Sequence, residues 1–106
     1  KEKGRTYRVK LKDVIYVRAE SNYLVIQTKD RHYLLRMTLN MLESEVDPKR
    51  FMRMHRSYIV NMAHVRSVRY SGNNEFVFTM SNGERIVSGR SYKEHIAKAL
   101  QENPVQ

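Results

Sequence analysis

The sequence predicts a mainly β domain of antiparallel sheets with one short internal helix and a closing C-terminal helix. Three observations lead there. Apolar and polar residues alternate over most of the chain, turn residues such as Asn82-Gly83 separate the alternating runs, and only two segments repeat apolar residues at spacings of three and four.

Thr6 to Leu11 sets Tyr7, Val9 and Leu11 against Arg8 and Lys10, the pattern of a half-buried strand. Val14 to Val17 reads as a second strand and Tyr23 to Thr28 as a third, parted by the polar Arg18-Ala19-Glu20-Ser21-Asn22. Lys29-Asp30-Arg31 connects tightly into His32 to Arg36, a hairpin partner. Thr38 is the expected N-cap of a helix carrying Leu39, Leu42 and Val46 inward and Glu43 and Glu45 outward. Met41 stands where a capping box would place an acid, and Asp47-Pro48 ends the helix. Tyr58 to Val60 and Val65 to Tyr70 are strands. Ser71-Gly72-Asn73-Asn74 turns the chain, Glu75 to Met80 alternates again, and Asn82-Gly83 leads into Glu84 to Val87. Tyr92 to Gln101 closes the domain as a helix with the stripe Tyr92, Ile96, Ala99 and Leu100. A single domain over residues 5–101 is expected, followed by a frayed tail over 102–106.

Charge narrows the function. The chain has 106 residues, 20 Lys plus Arg against 11 Asp plus Glu, and a formal charge of +9. That balance favours nucleic acid or an anionic membrane surface as partner. It is concentrated: from Pro48 to Asn74 there are six Lys or Arg residues and no carboxylate, so any neutralising acid must arrive from elsewhere in the fold. There is no Cys, which excludes disulfides and thiolate metal sites. No apolar run approaches the roughly 20 residues of a membrane span, and no signal segment opens the chain. A cytoplasmic domain is expected. The start on Lys1-Glu2-Lys3, without Met, suggests a piece of a longer protein.

Three polar insertions punctuate the β pattern: Ser21-Asn22, Arg53 to Ser57, and Ser88-Gly89-Arg90-Ser91. The second is expected to be a loop reading a polyanion. Reading a base edge in the major groove needs two hydrogen bonds at fixed geometry, Arg to guanine or Asn to adenine, and Arg56, Arg90 and Asn22 supply that chemistry. Arg53, Lys93 and the hydroxyls of Ser21, Ser57 and Ser91 suit phosphates, where charge matters and base identity does not. Ser88 or Ser91 could also cap the closing helix. Bland readings stand beside these. His55 is as well suited to bonding its own loop as to touching DNA, Asn22 to forming a turn, and Asn61 to capping, while Arg56 and Arg90 could be solvated surface charges. His32, His55, His64 and His95 include no close ligand pair, so no metal or other cofactor is expected. No ordered nucleophile, base and oxyanion site is visible, so the chain is not expected to be an enzyme.

Ile15-Tyr16-Val17 with Ala19, Ser21, Asn22 and Tyr23, the run Phe-x-Arg-x-His-Arg-Ser-Tyr-x-Val-Asn from Phe51 to Asn61, Asn82-Gly83, and Val87-Ser88-x-Arg90-x-Tyr92 together resemble a LytTR-type DNA-binding domain. The resemblance covers nearly the whole chain, and the central run carries most of its specificity. It implies an elongated all-β LytTR-type fold with short helices, the output domain of bacterial LytR/AgrA-type response regulators in two-component systems. It further implies duplex DNA as partner, bound in pairs on direct repeats with loops in successive major grooves, and an N-terminal receiver or sensory domain in the full-length protein. The reading loops then correspond to Ser21-Asn22-Tyr23, to His55-Arg56-Ser57, and to Arg90 with its neighbours. Gly89 departs from the basic residue that many relatives carry.

Two rival functions use the same charge. An RNA-binding sheet would need Tyr7, Tyr33 or Tyr70 open to solvent for stacking. A membrane-surface or protein-interaction module would use the stripe of the closing helix with Lys93 and Lys98, although Glu94 and Glu102 dilute its polar face.

Overall fold

The computed structural model describes residues 6–102. Two antiparallel sheets form it. The first holds β1 (Tyr16–Glu20), β2 (Tyr23–Gln27), β3 (His32–Leu35), β4 (Phe51–His55) and β5 (Tyr58–Asn61), in the order β3-β2-β1-β5-β4. The second holds β6 (Val65–Gly72), β7 (Glu75–Met80) and β8 (Arg85–Val87), in chain order. Helix α1 (Leu39–Glu45) joins β3 to β4, and α2 (Lys93–Glu102) closes the described chain. The molecule is elongated, 46 by 25 by 21 Å.

The alternation read from the sequence works because the first sheet is covered on both faces, so successive residues enter different cores. On one face Val14, Val17, Leu24, Phe51 and Ile59 pack with Leu39 of α1. On the other, Tyr16, Met52, Met54 and Val60 meet Phe78, Met80 and Ile86 of the second sheet and Ile96 of α2. The Tyr16 hydroxyl, which burial and the Glu84 carboxylate push up to about 12, donates to that carboxylate and ties the sheets together.

Both helices follow their expected faces. The Thr38 hydroxyl accepts from Met41 N–H at 3.1 Å as N-cap of α1, and Ile96, Ala99 and Leu100 of α2 face the shared core. Asn61 caps the short 3-10 turn Met62–His64, accepting from Ala63 N–H at 3.0 Å. Its amide also donates to the carbonyls of Leu11 and Val14.

Three expectations need correction. Thr6 to Leu11 is not a strand. Tyr7 and Val9 are half-buried and their neighbours exposed, so the alternation is real, but the segment joins no ladder. Tyr7 packs its ring against Tyr33 at 5.4 Å, and the chain turns through a 3-10 segment at Leu11–Asp13. Arg53 to Ser57 is not a loop, because Phe51, Met52 and Met54 are buried and make Phe51–His55 a strand, leaving Arg56-Ser57 as a tight turn. Ser88 does not cap the closing helix: its hydroxyl accepts from Phe76 N–H at 2.9 Å, while Arg90–Tyr92 forms a 3-10 turn, with Gly89 before it, ahead of α2. Of the expected tail, Glu102 ends α2 and the rest lies outside the described residues.

Candidate nucleic-acid interface

Strand pairing brings the three polar insertions to one end of the first sheet. The β1–β2 hairpin reverses at Ser21-Asn22, between the paired residues Glu20 and Tyr23. Because β1 runs antiparallel to β5, with Arg18 opposite Tyr58, the end of β1 lies beside the start of β5. Ala19 N–H then donates to the Ser57 carbonyl at 2.8 Å, fastening the β4–β5 turn to the first hairpin. The third insertion docks on β4, the edge strand, where Gly89 N–H donates to the Met54 carbonyl at 3.0 Å. A Cβ on Gly89 would stand 3.1 Å from the Tyr92 ring and 3.7 Å from the His55 backbone. A basic residue at position 89 would therefore press on Tyr92, a physical reason for glycine at this point.

The presumptive reading side chains extend from these turns. Asn22 is exposed and follows Ser21, whose φ of 55° places the hairpin in the left-handed region that tight turns use. Tyr23 is half-buried at the start of β2. Arg56 is exposed on the two-residue turn, and Ser57 is half-buried beside it. Arg90 is 70% exposed, its Nε 3.5 Å from a Glu75 carboxylate oxygen. Lys93, the first residue of α2, is exposed with its ammonium 5.4 Å from the Tyr70 ring centre.

His55 and Arg53 sit differently. His55 Nδ1 accepts from Ser57 N–H at 3.0 Å and its ring meets Tyr58 edge-on at 5.6 Å. Burial, then the Arg56 and Arg53 guanidiniums, lower its pKa below the ordinary 6.5. Arg53 is turned toward α1. Its Nε donates to the His55 carbonyl at 3.0 Å, Nη1 to Asn40 Oδ1 at 3.0 Å and Glu43 Oε1 at 2.9 Å, and Nη2 to the Arg56 carbonyl.

The carboxylates missing from the basic tract thus do arrive from elsewhere, Glu43 to Arg53 and Glu75 to Arg90. Sequence reasoning passed over Asn40, Glu43 and Glu75, and also Arg18, which pairs with Glu20 at the same end of the sheet. Nothing in their local pattern marks them, because each acts through a partner that only the fold supplies.

The surroundings weigh against the rivals. Tyr7 and Tyr33 pack on each other with Arg31 over both rings, which leaves no open stacking platform there. The apolar stripe of α2 is spent on the core. Among the described residues no helix is long and apolar enough to cross a membrane, and no cluster of three His, Asp or Glu is placed to hold a metal ion.

Residues 4–101 match the family model described as the LytTr DNA-binding domain. The sensory transduction protein LytR of Streptococcus agalactiae is 29% identical over 96 residues, 91% of this chain and 39% of that protein. The sensory transduction protein LytT of Bacillus subtilis is 29% identical over 92 residues, 87% of this chain and 38% of that protein. The chain therefore spans well under half the length of these relatives. A solved LytTr DNA-binding domain of a putative methyl-accepting/DNA response regulator from Bacillus cereus superposes with a TM-score of 0.88 at 26% identity, covering 94% of this chain and 92% of that one.

Proposed function

The chain belongs to the LytTR DNA-binding domain family, and from that premise we propose that it reads duplex DNA in a sequence-specific manner by laying its turns into successive major grooves. The observation that carries this reading is the convergence of three exposed hydrogen-bonding side chains, Asn22, Arg56 and Arg90, on turns held together at one end of a rigid sheet. Each can present a bidentate edge to a base, and none needs a recognition helix. Lys93, Ser57, Tyr23 and the Nε2–H of His55 surround them as phosphate or sugar contacts that set register.

In this reading the chain is the output module of a cytoplasmic bacterial transcription regulator, preceded by a receiver or sensory domain, and two copies occupy direct repeats. The lengths of the LytR and LytT relatives support a longer parent protein. The test is selection of bound duplexes from a random pool with the 106-residue chain. A recurring motif with two or more strongly preferred base pairs supports the reading. Recovery of unrelated duplexes, or preference for single-stranded RNA in competition, overturns it.

A further inference from the structure

We infer that Arg53, braced by Asn40 and Glu43 of α1, is the positioning residue of the Arg56 turn and makes no contact with DNA. The inference rests on the proposed reading of Arg56 and adds what aims it.

The Arg53 guanidinium has five N–H groups, and four are spent within the chain. Two go to the successive carbonyls of His55 and Arg56, and two to Asn40 and Glu43. The side chain is only 10% exposed. A planar fork of this kind fixes two carbonyls relative to a helix, which the single ammonium of lysine cannot do. Just before the turn the β4–β5 register slips between Arg53 and His55, the kind of irregularity that re-aims neighbouring side chains. The other polar backbone groups nearby are also held: Ser57 N–H by His55 Nδ1, and the Ser57 carbonyl by Ala19 N–H. With both carbonyls, the amide and the far side of the turn fixed, the Arg56 side chain is the free part, and its direction of departure is set before DNA arrives. Such pre-organisation lowers the ordering cost of binding and sharpens geometric selection.

The experiment compares Arg53→Lys, Glu43→Gln, Asn40→Ala and Arg56→Ala in the 106-residue chain, using the duplex preferred by the unaltered chain and its single-base-pair variants across a salt series. Glu43 is 47% exposed, so its substitution spares the core if Arg53→Lys proves unstable. Discrimination at the base pair that Arg56→Ala relaxes is expected to fall about tenfold in Arg53→Lys and several-fold in Glu43→Gln and Asn40→Ala, within the range of one lost bidentate contact. Affinity for unrelated duplexes and the salt slope should hold. Glu43→Gln is the decisive variant, since removing a negative charge near a polyanion would by electrostatics alone tighten binding to every sequence. The inference is overturned if Arg53→Lys and Glu43→Gln keep full discrimination, or if all duplexes weaken alike in step with melting temperature. An Arg56→Ala chain that keeps every base preference overturns the reading of the turn itself, and the strut with it.

Discussion

Ser57 N–H donates to His55 Nδ1 across the Arg56 turn, so the imidazole of the folded protein is an acceptor at that nitrogen and carries its proton on Nε2. Protonation at Nδ1 would cost this bond and set a third cation beside Arg53 and Arg56.

A pH dependence of stability follows. The folded pKa of His55 lies below 6.5, the value expected when unfolded. Between the two the unfolded chain binds more protons, so stability is full above about pH 6.5 and falls as pH drops through the folded pKa. Denaturant unfolding of the wild type and of His55→Gln over pH 5–8 should show a loss on acidification that the variant lacks in part. Titration of the ring by NMR should give a midpoint below 6.5, and a midpoint above it would refute the assignment.

The sequence disclosed local features and concealed those that depend on distant partners. Alternation marked β1, β2, β7 and β8 because both faces of each sheet have definite environments. The same signal misled at Thr6 to Leu11, where burial alternates but no strand lies alongside to complete a ladder. At β4 the polar Arg53 and His55 hid a strand whose burial comes from Phe51, Met52 and Met54. The three polar insertions were legible one at a time. Their meeting depends on the β1–β5 pairing, and the Arg53 brace on a helix surface ten and thirteen residues earlier in the chain.

Asn61 should prove costly to remove although it touches no DNA. It is 1% exposed, and its side chain serves the carbonyls of Leu11 and Val14 and the amide of Ala63. Asn61→Ala leaves these groups without their partner, at about 1–3 kcal/mol or somewhat more for the set. Urea unfolding should show the loss as a lower midpoint, while the variant's base preferences at low temperature stay those of the wild type.

Arg56→Ala and Arg90→Ala should each weaken binding to the preferred duplex by roughly 1–3 kcal/mol. Both residues are exposed, so thermal stability should change by less than about 0.5 kcal/mol. Calorimetric melting beside equilibrium binding decides this. An affinity loss that merely tracks melting temperature would make either residue structural.

Reading and positioning separate on salt and sequence. Asn22→Ala should relax preference at one base pair, whereas Lys93→Ala should weaken all duplexes about equally and lower the slope of log affinity against log salt by about 0.9, one phosphate's worth. The wild-type slope should amount to several such contacts, given the +9 charge. A slope near zero would remove the polyanion reading altogether.

Paired binding on direct repeats makes a geometric prediction. The chain is 46 Å in its longest dimension, little more than one turn of duplex. If two copies cooperate, their turns must approach the same face of the DNA, so the repeats should be spaced by whole helical turns of about 10–10.5 base pairs. Inserting half a turn, about five base pairs, rotates one copy to the opposite face, and inserting about ten restores the phase. Cooperative binding should vanish with the first insertion and return, at least in part, with the second. Binding indifferent to both would mean that the copies act independently on DNA and that any pairing comes from outside this chain.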